Sequence, residues 1–422
     1  MNRLYCLACL FGVFFCTKTD SAAAQEWPRF RGPNGSGEST AAAIPATWTD
    51  QDTKWRVKLP GTGHSSPVVW GDRLYVTAAS EDDGTQNICC LRTADGGTAW
   101  QRSYPSKTYR KNAFNCFAAA SPAVDSDRVY VAWTTPEQYT LAAFDRQTGK
   151  EAWRSDFGPF VAEHGFGASP IVVGDLVIVA NDQNGPSSVI GVECATGKTR
   201  WRTVRRNEKA AYSTPIVYTP DGGRPQVILT SLAHGFSSLD PQTGATNWEL
   251  SVMKYRAVGS PMLADGLIFA ACGEGGGGKQ MFAVRPGDPQ RKIEPKVAYE
   301  VDAKLPYVVT PVAHGRLLFL WGDQGQVTCL DAPTGKTLWS QKVKGKFFGS
   351  PIRVGERLYC ISREGHVFVL AAADAYKLLG EVNLGEPSQS TPAVAGGVLY
   401  LRTLSHVMAV GGSGQPAAGS GQ

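Results

Sequence analysis

Charged side chains are scarce in this sequence of 422 residues. Asp, Glu, Lys and Arg make up 19% of it, whereas soluble domains usually contain about 25%. The formal net charge is only +5, which by itself is too small to indicate nucleic-acid binding. The chain also lacks any stretch with convincing helical periodicity. Its 47 glycines and 42% hydrophobic content therefore predict a folded, turn-rich protein with few solvated helices.

Long hydrophobic runs are also missing from most of the chain. A membrane-spanning helix needs about 18 or more apolar residues, so residues 4–15 are too few, and no later run approaches this length. The run at 4–15 follows Arg3 and precedes the small residues 21–24, which is the pattern of a signal peptide. We therefore expect an exported protein without a membrane span, periplasmic or secreted after cleavage near Ala24. An uncleaved membrane anchor is the alternative.

Internal repetition determines the predicted architecture. A small residue followed by Ser or Thr and then Pro opens an apolar run eight times, at spacings of 40–55 residues. Repeats of this length are typical of four-stranded propeller blades. A short turn and a second apolar run usually follow, as in residues 68–76 and 352–360, and such pairs predict β-hairpins. The eight prolines are Pro67, Pro122, Pro170, Pro215, Pro261, Pro311, Pro351 and Pro392.

A second motif, Asp-x-x-Thr-Gly with a Trp four residues after the Gly, closes most of the units. The Asp and Thr side chains can bond turn amides, the Gly accepts a positive φ, and the Trp is expected to face inward on the next strand. These residues are therefore predicted to be structural rather than catalytic. Complete copies occupy residues 145–153, 240–248 and 331–339, and residues 193–201 carry the same frame with Glu193 in place of Asp.

The two ends of the repeat array predict how it closes. The eighth unit stops after residues 407–410 without a fourth strand, whereas Trp55 leads a strand at residues 53–59 that belongs to no unit. Pairing this strand with the last blade would close the ring and remove exposed edges. We therefore predict an all-β, eight-bladed β-propeller closed by an N-terminal strand. The predicted divisions are a signal peptide at 1–24, an N-terminal extension at 25–47, the propeller at 48–411 and a flexible C-terminal tail at 412–422.

The two motifs together resemble those of the quinoprotein-type (PQQ-like) β-propeller repeat family, over about 360 of the 422 residues. Members of that family include quinone-dependent alcohol dehydrogenases and the non-enzymatic propeller lipoprotein of the outer-membrane barrel-assembly machinery. Residues 27–35 also resemble the leader of exported family members. The resemblance implies the fold, but it does not decide the function, because the repeated residues belong to the scaffold.

A closer resemblance to the quinone enzymes would imply PQQ on the propeller axis, with calcium, an acidic base and stacking residues. No acidic cluster can be carried over onto this chain residue by residue. Cys89-Cys90 is similar to the vicinal disulfide of some members, but the pair is predicted to lie in a strand, where neighbouring side chains face opposite ways. We therefore expect one buried and one outward thiol, no cofactor, and a binding or scaffold module without catalysis. A quinone-dependent oxidoreductase with PQQ and calcium stays the alternative.

The remaining motifs predict no catalytic or metal site. Residues 273–279 have the spacing of a phosphate-binding loop, but Gln280 stands where Ser or Thr must hold magnesium. The six histidines lack metal-binding spacing, which leaves open only a site assembled across blades. Cys90, Cys329 and Cys360 each lie in an apolar run and are predicted to be small buried side chains.

The loops between consecutive blades are predicted to surround the central channel, and several are both basic and aromatic. Such a face suits a protein or an acidic polymer, because Lys and Arg neutralise charge while Tyr and Phe supply flat contact area. A solvated rim is the alternative, since acidic residues such as Glu81, Glu274, Asp323 and Glu364 share the face. No nucleic-acid partner is predicted, and a hydrolase or lyase at the rim is a third function. The candidate ligand-binding residues are Arg110, Lys111, His164, Lys209, Tyr255, Arg256, Tyr307 and Lys346.

Overall fold

The computed structural model describes residues 26–41, 44–275 and 277–411. The predicted signal peptide at 1–24 and the predicted tail at 412–422 lie outside these ranges. Within them, none of the helices has the length and apolar character needed to cross a membrane.

Strands dominate the described residues and form eight separate sheets, which are the blades of a β-propeller. This confirms the predicted fold class. In each blade the strands follow one another antiparallel, from the innermost strand at the channel to the outermost. Blade 1 consists of β3 (Val68–Trp70), β4 (Arg73–Ala79), β5 (Gln86–Arg92) and β6 (Thr98–Tyr104), and blade 2 of β7 (Ala123–Val124), β8 (Arg128–Thr135), β9 (Gln138–Asp145) and β10 (Glu151–Asp156). Blade 3 consists of β11 (Ile171–Val173), β12 (Leu176–Asn181), β13 (Ser187–Glu193) and β14 (Thr199–Arg205), and blade 4 of β15 (Ile216–Tyr218), β16 (Gln226–Ser231), β17 (Gly235–Leu239) and β18 (Thr246–Leu250).

Blades 5 to 8 repeat this plan and also take up two strands from the N-terminal part of the chain. These two strands are β1 (Glu38–Ser39), which joins blade 7, and β2 (Thr53–Lys58), which joins blade 8. Blade 5 consists of β19 (Met262–Ala264), β20 (Leu267–Glu274), β21 (Gly277–Arg285) and β22 (Lys296–Glu300), and blade 6 of β23 (Val312–His314), β24 (Leu317–Trp321), β25 (Gln326–Asp331) and β26 (Thr337–Lys342). Blade 7 contains β27 (Ile352–Val354), β28 (Arg357–Ile361), β29 (His366–Ala371) and β30 (Leu378–Asn383), and blade 8 contains β31 (Ala393–Ala395), β32 (Val398–Arg402) and β33 (His406–Gly411).

Blade 8 is built from both ends of the repeat array. Strand β2 pairs antiparallel with β33 and places Trp55 opposite Ala409 and Lys58 opposite His406. The predicted closure by an N-terminal strand is therefore confirmed. Ring closure joins segments that lie about as far apart in the sequence as the propeller allows, and it leaves β33 without an exposed edge.

Where it occurs, the turn motif joins one blade to its neighbour. The carboxylate of Asp145 accepts hydrogen bonds from the backbone N–H of Thr148 (2.7 Å) and from its hydroxyl (2.6 Å). This arrangement holds Gly149 at a φ of +66°, against the indole of Trp100 in the preceding blade. A Cβ at Gly149 would lie 2.4 Å from that ring, and the Trp100 Nε1–H donates to the Arg146 carbonyl at 3.0 Å. The structural role predicted for this motif fits these contacts.

Hydrophobic clusters fill the spaces between neighbouring blades, so both faces of every sheet are covered. The expectation that only one of Cys89 and Cys90 is buried is therefore wrong. Cys89 packs toward blade 8 and Cys90 toward blade 2, and each is a buried free thiol. Burial of Cys90, Cys329 and Cys360 agrees with the prediction.

The N-terminal segment at residues 26–41 crosses the end of the propeller that lies opposite the inter-blade loops. Trp27 pairs through its backbone with Val69 of blade 1, and the Pro28 carbonyl accepts the N–H of Val124 in blade 2. Further along, the Asn34 side chain bonds the backbone of blade 4, and β1 runs parallel to β27 of blade 7. This segment, which we call the plug, therefore ties together blades from around the ring.

Candidate binding channel

The eight Ser and Thr residues that precede the repeated prolines form a closed ring around the propeller axis. Each hydroxyl oxygen accepts a hydrogen bond from the backbone N–H of its counterpart in the preceding blade, at 2.8–3.2 Å. The ring closes where Thr391 of blade 8 donates to Ser66 of blade 1. We call it the hydroxyl ring; its members are Ser66, Ser121, Ser169, Thr214, Ser260, Thr310, Ser350 and Thr391.

Proline explains why this ring occurs at the start of each blade. A residue before proline favours an extended backbone, and the proline itself has no N–H to satisfy. Each hydroxyl of the ring uses its oxygen as an acceptor, and none donates to another of the described residues. All eight residues line one cavity, so their O–H groups are available to water or to a ligand in it.

That cavity lies in the central channel and has a volume of about 820 Å³. Its walls carry aromatic side chains from several inter-blade loops, and the plug contributes Phe30. Small-molecule and cofactor sites have typical volumes of about 300–1,000 Å³, so the cavity is large enough to hold a ligand. The aromatic wall residues are Phe114, Phe166, Tyr212, Tyr307 and Phe348.

Arg31 anchors the plug at the closed end of the channel. Its guanidinium is fully buried and donates to the carbonyls of Gly35 and Ser36 within the plug, both at 3.1 Å. It also donates to backbone carbonyls of blades 6 and 7, including Pro311 (2.5 Å) and Pro351 (2.7 Å). Burial lowers the pKa of Arg31 to about 9, which still leaves it charged at neutral pH. The cavity therefore opens toward the inter-blade loops.

Three of the predicted candidates, His164, Tyr307 and Lys346, line the cavity. His164 contacts Asn112 through Nδ1 at 3.2 Å, and burial and the charge of Arg256 lower its pKa. Burial raises the pKa of Tyr307, whose backbone N–H donates to a carboxylate oxygen of Asp323 at 3.0 Å. Of the eight residues selected from their place in the repeat, three therefore line one cavity.

The other five candidates surround the channel without lining the cavity. Arg256 is buried, donates to Glu163 at 2.7 Å and lies over the Tyr212 ring. Half-buried Tyr255 packs beside Gly278, and Arg110 is exposed to solvent. The last two, Lys111 and Lys209, bind the carboxylates described next.

Acidic residues neutralise much of the basic character of the loop face. Lys111 Nζ lies 3.2 Å from a Glu81 oxygen, and Lys209 Nζ lies 3.5 Å from a Glu274 oxygen. Similarly, Lys279 Nζ lies 2.6 Å from Asp323 in the cavity wall. These contacts match the dilution of charge expected for the solvated-rim alternative. Of the three pairs, that of Lys209 and Glu274 is exposed on both sides, and an exposed pair contributes little to stability.

Two cations of the cavity wall differ from this pattern. Among the described residues, no carboxylate oxygen lies within 4.0 Å of Lys346 Nζ or of the Arg363 guanidinium. The Arg363 guanidinium carbon lies 4.1 Å from the ring centroid of Phe114 and 4.7 Å from that of Phe348. Such cation–π contacts hold an arginine in place while leaving its in-plane donors free.

Sequence reasoning missed Arg363, because it lies in the turn between β28 and β29 rather than in an inter-blade loop. The turns within blades were expected to bring acidic residues such as Glu364 to this face. A search of those turns for cations would have found it. The structure therefore adds a free guanidinium to the predicted basic and aromatic face.

His64 also lines the cavity, on the side of blades 8 and 1. Burial and the charges of Arg402, Lys111 and Arg363 lower its pKa to about 3. The imidazole is therefore neutral at physiological pH, and the groups that act on it are all positive. This side of the channel favours negative charge.

The carboxylates of the cavity do not fit a calcium and quinone site. Calcium prefers six to eight oxygen ligands, with several carboxylates among them. The described cavity lining contains Glu274 and Asp323, and Asp323 already accepts bonds from Lys279 and from the backbone N–H of Tyr307 and Val308. No cluster of three or more His, Cys, Asp or Glu side chains suited to a metal occurs within the described part of the chain.

Comparison with known proteins identifies the family. A family model described as "Outer membrane protein assembly factor BamB" matches residues 46–132, 85–298 and 290–415. The chain belongs to this BamB family. The predicted resemblance to the quinoprotein-type propeller repeat family, and to its barrel-assembly branch, is thereby confirmed.

Curated relatives of the BamB family are similar at low identity. "Outer membrane protein assembly factor BamB" of Yersinia pestis is 24% identical over 277 residues, which cover 62% of this chain and 66% of the relative. The protein of the same name from Burkholderia pseudomallei is 27% identical over 232 residues, covering 52% and 55%. This chain therefore spans about two thirds or less of the length of these relatives. A polyvinylalcohol dehydrogenase of Pseudomonas sp. is 25% identical over 185 residues, covering 41% of this chain and 27% of that enzyme.

Solved structures agree on the propeller. BamB from Moraxella catarrhalis matches with a TM-score of 0.62 and 17% identity, covering 89% of this chain and 100% of that one. Quinohemoprotein alcohol dehydrogenase from Comamonas testosteroni matches with a TM-score of 0.69 and 15% identity, covering 96% and 83%. At such identities the likeness shows the fold alone, because a BamB protein and an alcohol dehydrogenase share it.

Proposed function

We propose that this chain is an exported scaffold protein that binds another protein through the face formed by its inter-blade loops. The observation that carries the proposal is the cavity, which opens on that face while the plug closes the other end. Membership of a family described as an outer-membrane protein assembly factor supports a protein partner over an acidic polymer. The proposed location is the periplasm or the exterior of the cell, and the proposed scaffold uses no cofactor.

The chemistry of the loop face also favours binding over catalysis. Its side chains combine flat aromatic area with arginine, the residue types enriched in protein interfaces, and several of its lysines are already paired with carboxylates. In contrast, a quinone-dependent oxidoreductase would need calcium ligands and an acidic base, and the described cavity residues do not supply this donor set. Adding PQQ and calcium to the purified protein tests this second function. A thermal shift together with dye-linked alcohol oxidation would establish the oxidoreductase instead.

Site-specific photo-crosslinking tests the scaffold proposal. A benzophenone amino acid is placed in native cells at Arg110 or Val161, both exposed on the loop face, and at Lys150, exposed in a turn on the opposite face. We expect the two loop positions to give the same crosslinked protein, identified by mass spectrometry, and Lys150 to give none. Equal crosslinking from both faces, or none from the loop face, would contradict the proposal. Fractionation of the same cells checks export.

A further inference from the structure

We infer that the central cavity binds the carboxy-terminal end of a polypeptide, with Arg363 and Lys346 holding the terminal carboxylate. This inference rests on the proposed function, since it specifies which part of a protein partner enters the propeller. The structural basis is a channel closed at one end, two cations without carboxylate partners among the described residues, and the eight hydroxyl groups of the hydroxyl ring.

The closed end determines which part of a chain can enter. The plug crosses the channel and is anchored by Arg31, so a polypeptide cannot thread through the propeller. A chain end requires the width of one extended strand, whereas an inserted hairpin would require two strands side by side. The volume of about 820 Å³ is within the range of drug-sized ligands, which suits a few terminal residues.

The charges distinguish a carboxy terminus from an amino terminus. Arg363 and Lys346 add positive charge to the cavity wall, and the wall acids Glu274 and Asp323 already contact lysines. Arg363 is also held against two phenyl rings, and its Nε–H, shielded from solvent, has no acceptor among the described residues. A carboxylate supplies that acceptor in the planar geometry that a guanidinium matches. A terminal ammonium would be repelled.

The hydroxyl ring supplies donors for the rest of the inserted segment. Each ring hydroxyl already accepts one backbone N–H, which leaves it one O–H donor and one lone pair. A peptide end offers carbonyl oxygens at every residue. The aromatic walls add apolar contact through Phe114, half-exposed, and through Phe348. The lining therefore provides donors, positive charge and flat apolar area, and all three match the end of a peptide.

The test uses the mature full-length protein and the peptide Gly-Ser-Gly-Ser-Gly-Phe, labelled at its N-terminus with an uncharged BODIPY dye so that its only free carboxylate is the C-terminal one. Fluorescence anisotropy compares this peptide with its C-terminal amide. We expect saturable binding of the acid and at least about tenfold weaker binding of the amide. The variant Arg363→Met retains the apolar length of the side chain but removes its charge, and it should weaken binding of the acid at least about tenfold. Arg92→Met, which removes an exposed guanidinium at the end of β5 on the opposite face, is the matched control and should bind as wild type does.

Each other result overturns the inference. Equal binding of acid and amide, equal behaviour of the two variants, or no saturable binding of the acid would show that the cavity does not take a carboxy terminus. Displacement of the peptide by benzoate at equal concentration would show a small-molecule site instead. The crosslinking test at Arg110 and Val161 is independent of these results. If it succeeds while the peptide assay fails, the scaffold proposal stands and this inference falls.

Discussion

The backbone N–H of Thr391 donates to the hydroxyl of Ser66 at 3.1 Å, although 325 residues separate the two in the sequence. This bond completes the hydroxyl ring at the junction of blades 8 and 1. The two ends of the repeat array are also joined within blade 8, where β2 pairs with β33. Closure is therefore secured at the axis and at the outer edge of blade 8.

The first prediction concerns this bond. Ser66→Ala leaves the Thr391 N–H without its acceptor, and an unsatisfied buried donor costs about 1–3 kcal/mol. The free energy of unfolding, measured by urea denaturation, should fall by about this amount. Ser66→Thr keeps the hydroxyl, and three other blades have Thr at this position, so its free energy of unfolding should stay near the wild-type value. Unfolding of Ser66→Ala at the wild-type urea concentration would show that the bond contributes nothing measurable.

The second prediction compares two glycines with positive φ. Gly149 lies against the Trp100 indole, whereas a Cβ at Gly355 would meet nothing within 4 Å. Gly355→Ala should therefore cost only the left-handed backbone penalty of about 1–2 kcal/mol. Gly149→Ala should lower the free energy of unfolding by about 1–3 kcal/mol more than this, because the Trp100 indole must move. Equal losses in thermal or urea unfolding would show that the indole contact is easily displaced.

The third prediction concerns ring closure. Deleting residues 25–60 removes both the plug and β2, so blade 8 loses its outer strand and the whole ring should lose stability. Deleting only residues 25–41 removes the plug and should leave a cooperative unfolding transition. Calorimetry of the two truncated proteins separates the two contributions. A full wild-type transition in the longer deletion would contradict closure by the N-terminal strand.

The fourth prediction concerns the plug. Arg31→Met removes the guanidinium that binds carbonyls of the plug and of blades 6 and 7. Amide hydrogen exchange within residues 26–41 should become faster, while exchange in the blade strands should change little. Arg92→Met, which removes an exposed guanidinium paired with Asp95, is the control. Unchanged exchange in the plug would mean that its other contacts hold it alone.

The fifth prediction is a dependence on pH. His64 has a pKa of about 3 in the folded protein, against about 6.5 when unfolded. Between these values the unfolded chain binds a proton that the folded one does not, so stability falls as the pH drops from about 6.5 toward 3. His64→Asn removes this term, so it should lose less stability than wild type between about pH 7 and pH 5. The difference should be at most about 2 kcal/mol. If urea titrations at the two pH values showed that wild type and His64→Asn lose the same free energy of unfolding, the prediction would be wrong.

Much of the fold could be predicted because each repeat carries its own local signals. Ser/Thr-Pro, the Gly turns and the tryptophans specify one blade at a time, and the unmatched strand of Trp55 specified the closure. The partners of Arg31 could not be predicted in this way. They lie about 280 and 320 residues away, and they are backbone carbonyls that leave no signal in the sequence.

The candidate site was predicted only in part, for a similar reason. The loops were expected at the channel from their place in the repeat, and His164, Tyr307 and Lys346 do line the cavity. Whether a given lysine is free or neutralised depends on acids from other blades, as with Lys209 and Glu274. The burial of both Cys89 and Cys90 likewise follows from blades that cover each sheet on both faces, which alternation within one strand does not reveal.

The hydroxyl ring has a consequence for how such a chain can gain or lose repeats. Every unit contributes one donor and one acceptor, arranged head to tail, so a circle of seven or nine units would also leave no bond unmade. The number of blades must then be set by the side chains that pack between adjacent sheets, such as Trp100 between blades 1 and 2. Duplication of a whole unit would keep the hydroxyl ring complete and would change only the packing between the sheets. Loss of the Ser or Thr segment of one unit, in contrast, breaks the hydroxyl ring.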